Sequence, residues 1–175
     1  NYNFLLFYLS MSTYFDTTND QALFLKAQTY QMMKNYKKAI YFFKRIKSNS
    51  EFFDDAQYYL AFNYEKTLSF IEAEKRIKQI LNSSNYKLSI SKILANFYRL
   101  NKKYELAIKY YTAVISDEGA LDASTGILKS YYYYGKYVVE DNDAKKKIFS
   151  KAVSLGEKFI IDYPESPGIR YWYLV

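Results

Sequence analysis

The chain has 175 residues, a net charge of +7, and 22 Tyr and 13 Phe against only 5 Gly and 2 Pro. It contains neither Cys nor His, which excludes disulfides, thiol nucleophiles, histidine acid–base catalysis and ordinary zinc sites together. Scarce Gly and Pro predict long helices and argue against a β-sandwich or barrel, and the positive charge is spread along the chain, so no segment forms a dedicated nucleic-acid site.

In chain order, Asn3–Met11 is apolar but too short for the roughly 20 residues of a membrane span. Counting back one repeat makes it the buried helix of an incomplete preceding repeat. Thr17, Thr18 and Asn19 supply turn and cap residues before a helix over Asp20–Lys34. Asn35 separates it from a helix over Lys37–Lys47, and Ser48–Ser50 forms the next polar junction. Helices follow over Phe53–Thr67 and Phe70–Leu81, then over Tyr86–Leu100 and Tyr104–Ser116. A further pair runs over Leu121–Val139 and through Ala152 and Phe159, closed by Pro164. Ser166-Pro167 reads as an N-cap followed by proline in the first turn. The chain opens without Met and closes inside an aromatic run, which predicts a piece of a longer protein.

These helices repeat at a step of 34 residues, the period of a helix-turn-helix solenoid. Ala27, Ala61 and Ala95 form one column and Tyr30, Tyr64 and Tyr98 the next. Ala39, Ala73 and Ala107 keep the step, as do Phe43, Ile77 and Tyr111, and then Ile46, Ile80 and Val114. Spacings of three and four put each set on one helix face. The alanines permit close approach of two antiparallel helices, and each pair must stack on its neighbours to cover its apolar face. In the fourth pair Ala152 stands beyond position 141, where strict register would put the alanine. An insertion is therefore expected near 140–147, as a longer loop or as extra helical turns.

The columns resemble the tetratricopeptide repeat. That family has a small residue at its eighth position, an aromatic at its eleventh, alanine at its twentieth and a large apolar residue at its twenty-fourth. Repeats starting at Asp20, Asp54 and Leu88 supply all four. The chain departs at the twenty-seventh, where Ile46, Ile80 and Val114 replace the usual alanine, and at the fourth, where Leu23, Gln57 and Ser91 replace the usual Trp. The closing proline is missing until Pro164. The resemblance implies an all-α fold, an α-solenoid of antiparallel helix pairs in a right-handed superhelix. The division that follows is one domain over 1–175. Residues 1–19 belong to a partial preceding repeat, 20–53, 54–87, 88–121 and 122–166 are repeats one to four, and 167–175 begin a fifth.

Two phrases, Ser50–Tyr64 and Phe159–Pro167, resemble a bacterial envelope branch of that family. It includes the outer-membrane-assembly lipoprotein and the periplasmic coordinator of the Tol–Pal system. This implies a bacterial periplasm or envelope, with a lipid anchor, if any, outside these residues; the cytoplasm is the alternative.

In this family the first helices of successive repeats line a concave groove that takes a protein or peptide partner. Carried over by position, the groove comprises Phe24, Gln28 and Gln31, then Tyr58, Phe62 and Glu65, then Lys92, Asn96 and Arg99, then Tyr133 and Tyr134. Asp55, Tyr59 and Ser89 belong to the same face. Phe24, Tyr59 and Ile93 read equally well as packing between neighbouring repeats. Lys92 and Asn96 match half of the clamp by which some relatives hold a C-terminal carboxylate, but Ile127 stands where the next Asn belongs, so the clamp is incomplete. The run Tyr131–Tyr134 points in four directions on a helix, which argues against a stacking platform for bases. Lys145–Lys147 lies among Glu140, Asp141 and Asp143 and reads as a solvated, compensated face. Asp54-Asp55 sits at a helix start, where negative charge is favourable.

The expectation is a non-catalytic scaffold, without metal or cofactor, that binds a protein partner through the groove. The alternative is a structural subunit of an envelope assembly docking through its ends or convex face. No nucleic acid, catalytic centre or membrane span is expected, and oligomeric state is left open.

Overall fold

The computed structural model describes residues 1–115 and 121–175. Among them are ten helices: α1 Tyr2–Phe15, α2 Asp20–Met32, α3 Tyr36–Phe43, α4 Phe53–Thr67 and α5 Phe70–Ser83 are followed by α6 Lys87–Leu100, α7 Tyr104–Thr112, α8 Leu121–Tyr137, α9 Asn142–Asp162 and α10 Pro167–Leu174. No described residue is in a strand. The fold is all-helical, as the sequence predicts. The predicted helix end at Ser116 and the junction after it lie outside the described residues. The chain divides into two compact units, Asn1–Ile93 and Leu94–Val175, and the division falls within α6.

Local sequence sets the helix starts. Asn19, Asn35, Asp141 and Ser166 each accept a hydrogen bond from a first-turn backbone N–H of the helix they precede, and Pro167 follows Ser166 in the first turn. Two of the turns within hairpins are alike. Lys34 and Lys102 both adopt left-handed backbone, with φ of 58° and 59°. Beyond them the N–H of Asn35 donates to Tyr30 O at 2.8 Å and that of Lys103 to Tyr98 O at 2.9 Å. This is a Schellman closure, in which glycine ordinarily takes the left-handed position. Leu68, at the same step between these two, is extended instead (φ −98°). There Ser69 leads directly into α5.

In the first unit, α1 packs on α2, α2 on α3, α3 on α4 and α4 on α5. Ala27, Ala39, Ala61 and Ala73 are fully buried where these helices meet, and Phe43, Ile46, Leu60, Ile77 and Ile80 fill the space around them. Helix α3 stops at Phe43, earlier than predicted, yet tight i→i+3 bonds at Arg45 and Ile46 still carry Ile46 into the core. The first helix is buried along one stripe only. Helix α1 forms, but only Leu9 and Thr13 are buried, while Phe4, Phe7, Tyr8, Tyr14 and Phe15 are well exposed. The stripe through Leu9 and Thr13 meets α2, and the remaining faces of α1 meet solvent.

In the second unit, Leu94, Ala95, Tyr98, Ala107, Tyr111 and Val114 form the core with Ile127 and Leu128 of α8. Helix α8 packs on α7 and α9, and α10 closes on both α8 and α9. Three glycines here make room for aromatic rings. A Cβ on Gly126 would lie 2.4 Å from Tyr111 Cζ, and one on Gly156 would lie 2.7 Å from Tyr173 Cδ2. Gly156 occupies the register place that Phe43, Ile77 and Tyr111 hold elsewhere, so in α9 the large side chain comes from α10 instead. Helices α8 and α9 are 17 and 21 residues long, against 15 and 14 for α4 and α5. The extra residues of this pair therefore extend helices more than the loop between them.

Candidate partner-binding faces

In the first unit the candidate residues lie on α2, α4 and the start of α6. The structure corrects one of them. Phe24 is buried, its ring 5.3 Å from Phe52, 5.6 Å from Phe43 and 5.8 Å from Tyr59, so it closes the junction between two hairpins and presents nothing to a partner. Tyr59 stacks on Phe43 at 5.4 Å and serves partly the same purpose. Ile93 is buried as well. Gln28 is half-buried, and Gln31 is held by a bond to its Oε1 from Asn63 Nδ2 at 2.6 Å.

Tyr58 and Phe62 remain partly exposed on α4. Tyr58 meets the edge of Tyr59 at 5.2 Å. Phe62 lies 6.5 Å from Tyr36 and carries the Lys66 ammonium over its face at 5.3 Å. Lys66 also pairs with Glu65 at 3.2 Å, and the Glu65 side chain is only 5% exposed, so this carboxylate is part of the packing more than of the surface. Lys92 is half-buried on α6.

At the α4–α6 junction Tyr86 joins four residues that the register already places on one face. Asp55, Tyr58, Tyr59, Tyr86 and Ser89 line an open cavity of about 220 Å³. Asp54 beside it accepts from Asn85 Nδ2 at 2.6 Å, which ties the α5–α6 loop to the start of α4. Asp55 hydrogen-bonds the Tyr86 hydroxyl and, with its negative charge, holds the Tyr86 pKa above the usual phenol value. Tyr86 is absent from the predicted face because it opens the predicted helix over Tyr86–Leu100, where periodicity says least. Its step of 34 from Phe52 was the available signal.

In the second unit, Arg99 Nη2 donates to Asn96 Oδ1 at 2.7 Å, so these two candidates face each other before any ligand arrives. Tyr133 stacks on Tyr104 at 6.0 Å and on Tyr137 at 5.9 Å, and meets Trp172 of α10 edge-on at 5.7 Å. Tyr134 donates to Glu105 of α7, and this bond is the first cause of its raised pKa. Tyr132 packs on Trp172 at 5.6 Å and accepts from Lys136 Nζ at 2.8 Å. Trp172 and Tyr104 had no place in the predicted face. They lie at the ends of elements, where periodicity says least.

Among the described residues, no group of three His, Cys, Asp or Glu side chains is placed to hold a metal ion, and no helix is long and apolar enough to cross a membrane.

Comparison with known proteins follows the fold. Residues 21–50 match the tetratricopeptide repeat family model. Comparison with curated protein sequences gives no match. A crystal structure of MamA is similar at a TM-score of 0.64 and 21% identity, over 87% of this chain and 87% of that one. A second MamA crystal structure is similar at 0.65 and 20% identity, over 92% and 85%. PilF of Pseudomonas aeruginosa is similar at 0.59 and 14% identity, over 94% of this chain and 70% of that one. At such identities the likeness is one of fold. Residues 21–50 are thus similar to a tetratricopeptide repeat, within an all-helical fold that resembles those of MamA and PilF.

Proposed function

We propose that this protein is a non-catalytic scaffold that captures a protein or peptide partner on the faces of its first helices. The observation that carries this reading is the aromatic surface of α4. Tyr58 and Phe62 lie one turn apart, neither is buried, and rigid aromatic rings desolvate a large area at modest entropic cost. The match to a repeat whose members bind proteins supports it. The test is affinity capture with the full chain and with Tyr58→Ala/Phe62→Ala. The double variant should lose the bound protein while its helical circular dichroism is retained. Undiminished capture would move the site elsewhere.

A second reading, a structural subunit docking through its end, is favoured by the exposed Phe4, Phe7, Tyr8, Tyr14 and Phe15 of α1. Co-purification of an assembly that survives the α4 substitutions and fails with Phe7→Ser/Tyr8→Ser would support it. Residence in a bacterial envelope rests on the junction phrases alone, and cell fractionation tests it.

A further inference from the structure

The two hairpin junctions of the first unit are built from the same columns with different outcomes. At the first, Phe52 stacks on Phe24 at 5.3 Å and the junction is closed. One step of 34 residues later the same places hold Tyr86 and Tyr58, and Gln21 is replaced by Asp55. Here the junction stays open as the 220 Å³ cavity. Three tyrosines, whose ring faces carry negative potential, line it, and Asp55 adds a formal negative charge.

Among the described residues that charge has no cationic partner. None of the lining residues is Lys or Arg. None of the ion pairs Lys66–Glu65, Lys78–Glu74 and Lys146–Asp143 involves Asp55. The Tyr86 hydroxyl that Asp55 holds is neutral and occupies only part of a carboxylate's acceptor capacity. Asp54, by contrast, is committed to Asn85. The cavity is also smaller than the roughly 300 Å³ at which small-molecule sites begin, so one side chain fits it better than a whole metabolite.

We infer that this tyrosine-and-aspartate cavity is a subsite for a basic side chain, lysine or arginine, of the protein partner. The inference rests on the α4 face being the partner surface. It adds the chemistry of the bound segment, a positive charge carried on an apolar stem that passes between Tyr58 and Tyr86. The stem packs on the rings and the cation reaches Asp55.

Nuclear magnetic resonance on the ¹⁵N-labelled full chain tests it with N-acetyl-arginine amide, N-acetyl-lysine amide and N-acetyl-norleucine amide as probes. Both cationic probes should give saturable shifts at the amides of Tyr58, Tyr59, Tyr86 and Ser89. The norleucine probe should bind at least about threefold more weakly. Asp55→Asn should weaken the cationic probes by at least the same factor, and Tyr58→Leu should weaken them independently, both with unchanged spectral dispersion elsewhere. Equal shifts from the norleucine probe, no shifts at these four residues, or cation binding that neither variant weakens would each overturn the subsite. If the probes fail while Tyr58→Ala/Phe62→Ala still loses the captured protein, the subsite falls and the scaffold reading stands. If the probes bind while capture ignores α4, the scaffold face falls and the cation subsite is a separate property.

Discussion

Asn63 of α4 donates from Nδ2 to Gln31 Oε1 of α2 at 2.6 Å, across 32 residues of sequence and two successive first helices. The same nitrogen donates to Tyr59 O at 2.6 Å, and Asn63 is fully buried. Both amide hydrogens are therefore used, while Oδ1 has no partner. A residue assigned to a binding face, Gln31, is thus partly a strut between hairpins.

This bond predicts coupling between the two positions. Asn63→Ala should lower stability by about 1–2 kcal/mol, since a buried polar contact is lost and Gln31 is left half-satisfied. Gln31→Ala should cost less. A double-mutant cycle by urea unfolding should give a coupling energy of about 0.5–1.5 kcal/mol. Additive effects would mean that the bond contributes nothing to holding α2 against α4.

Lys26 gives a second prediction. It sits in a column otherwise filled by Leu60, Leu94 and Leu128 and is only 8% exposed. Its ammonium reaches Thr13 Oγ1 at 3.3 Å and lies over the Phe42 ring at 4.7 Å, and among the described residues it forms no ion pair. Desolvation first, and the Arg45 charge second, hold its pKa below the ordinary lysine value of 10.5. A lowered lysine pKa means that the unfolded chain binds the proton more tightly. The cost of the charge is therefore full below the folded pKa and is relieved as pH rises through it toward 10.5. Lys26→Leu should raise stability by about 1 kcal/mol at neutral pH, and the gain should shrink as the pH rises toward that value. Urea titrations at several pH values check it; a loss on substitution would show that the contacts to Thr13 and Phe42 outweigh desolvation.

The hairpin turns give a third. Lys34 and Lys102 hold left-handed backbone, which costs an L-residue with a β-carbon roughly 1 kcal/mol. Lys34→Gly and Lys102→Gly should each raise stability by about 0.5–1 kcal/mol. Leu68→Gly, at the equivalent step but with extended backbone, should lower it. Thermal unfolding of the three variants side by side separates a conformational cause from a general effect of glycine in a turn.

The sequence by itself determined the helical hairpins and their core. A step of 34 with small and large residues in fixed columns leaves one way to bury the alanines, and Ala27, Ala61, Ala95, Ala39, Ala73 and Ala107 are all fully buried. Caps at Asn19 and Ser166 are legible for a similar reason, since capping depends on neighbours within three residues. Only the tertiary structure decided which faces stay open. Periodicity puts Phe24 and Tyr58 on the same face, but Phe52 covers the first while Tyr86 and Asp55 leave a cavity at the second. It also decided that Tyr173 would fill the place left by Gly156, and that α1 would set Leu9 and Thr13, and not its larger aromatics, against α2. The physical reason is common to all three. A helix's own residues determine which stripe is apolar, whereas the burial of that stripe depends on what a neighbouring element places against it.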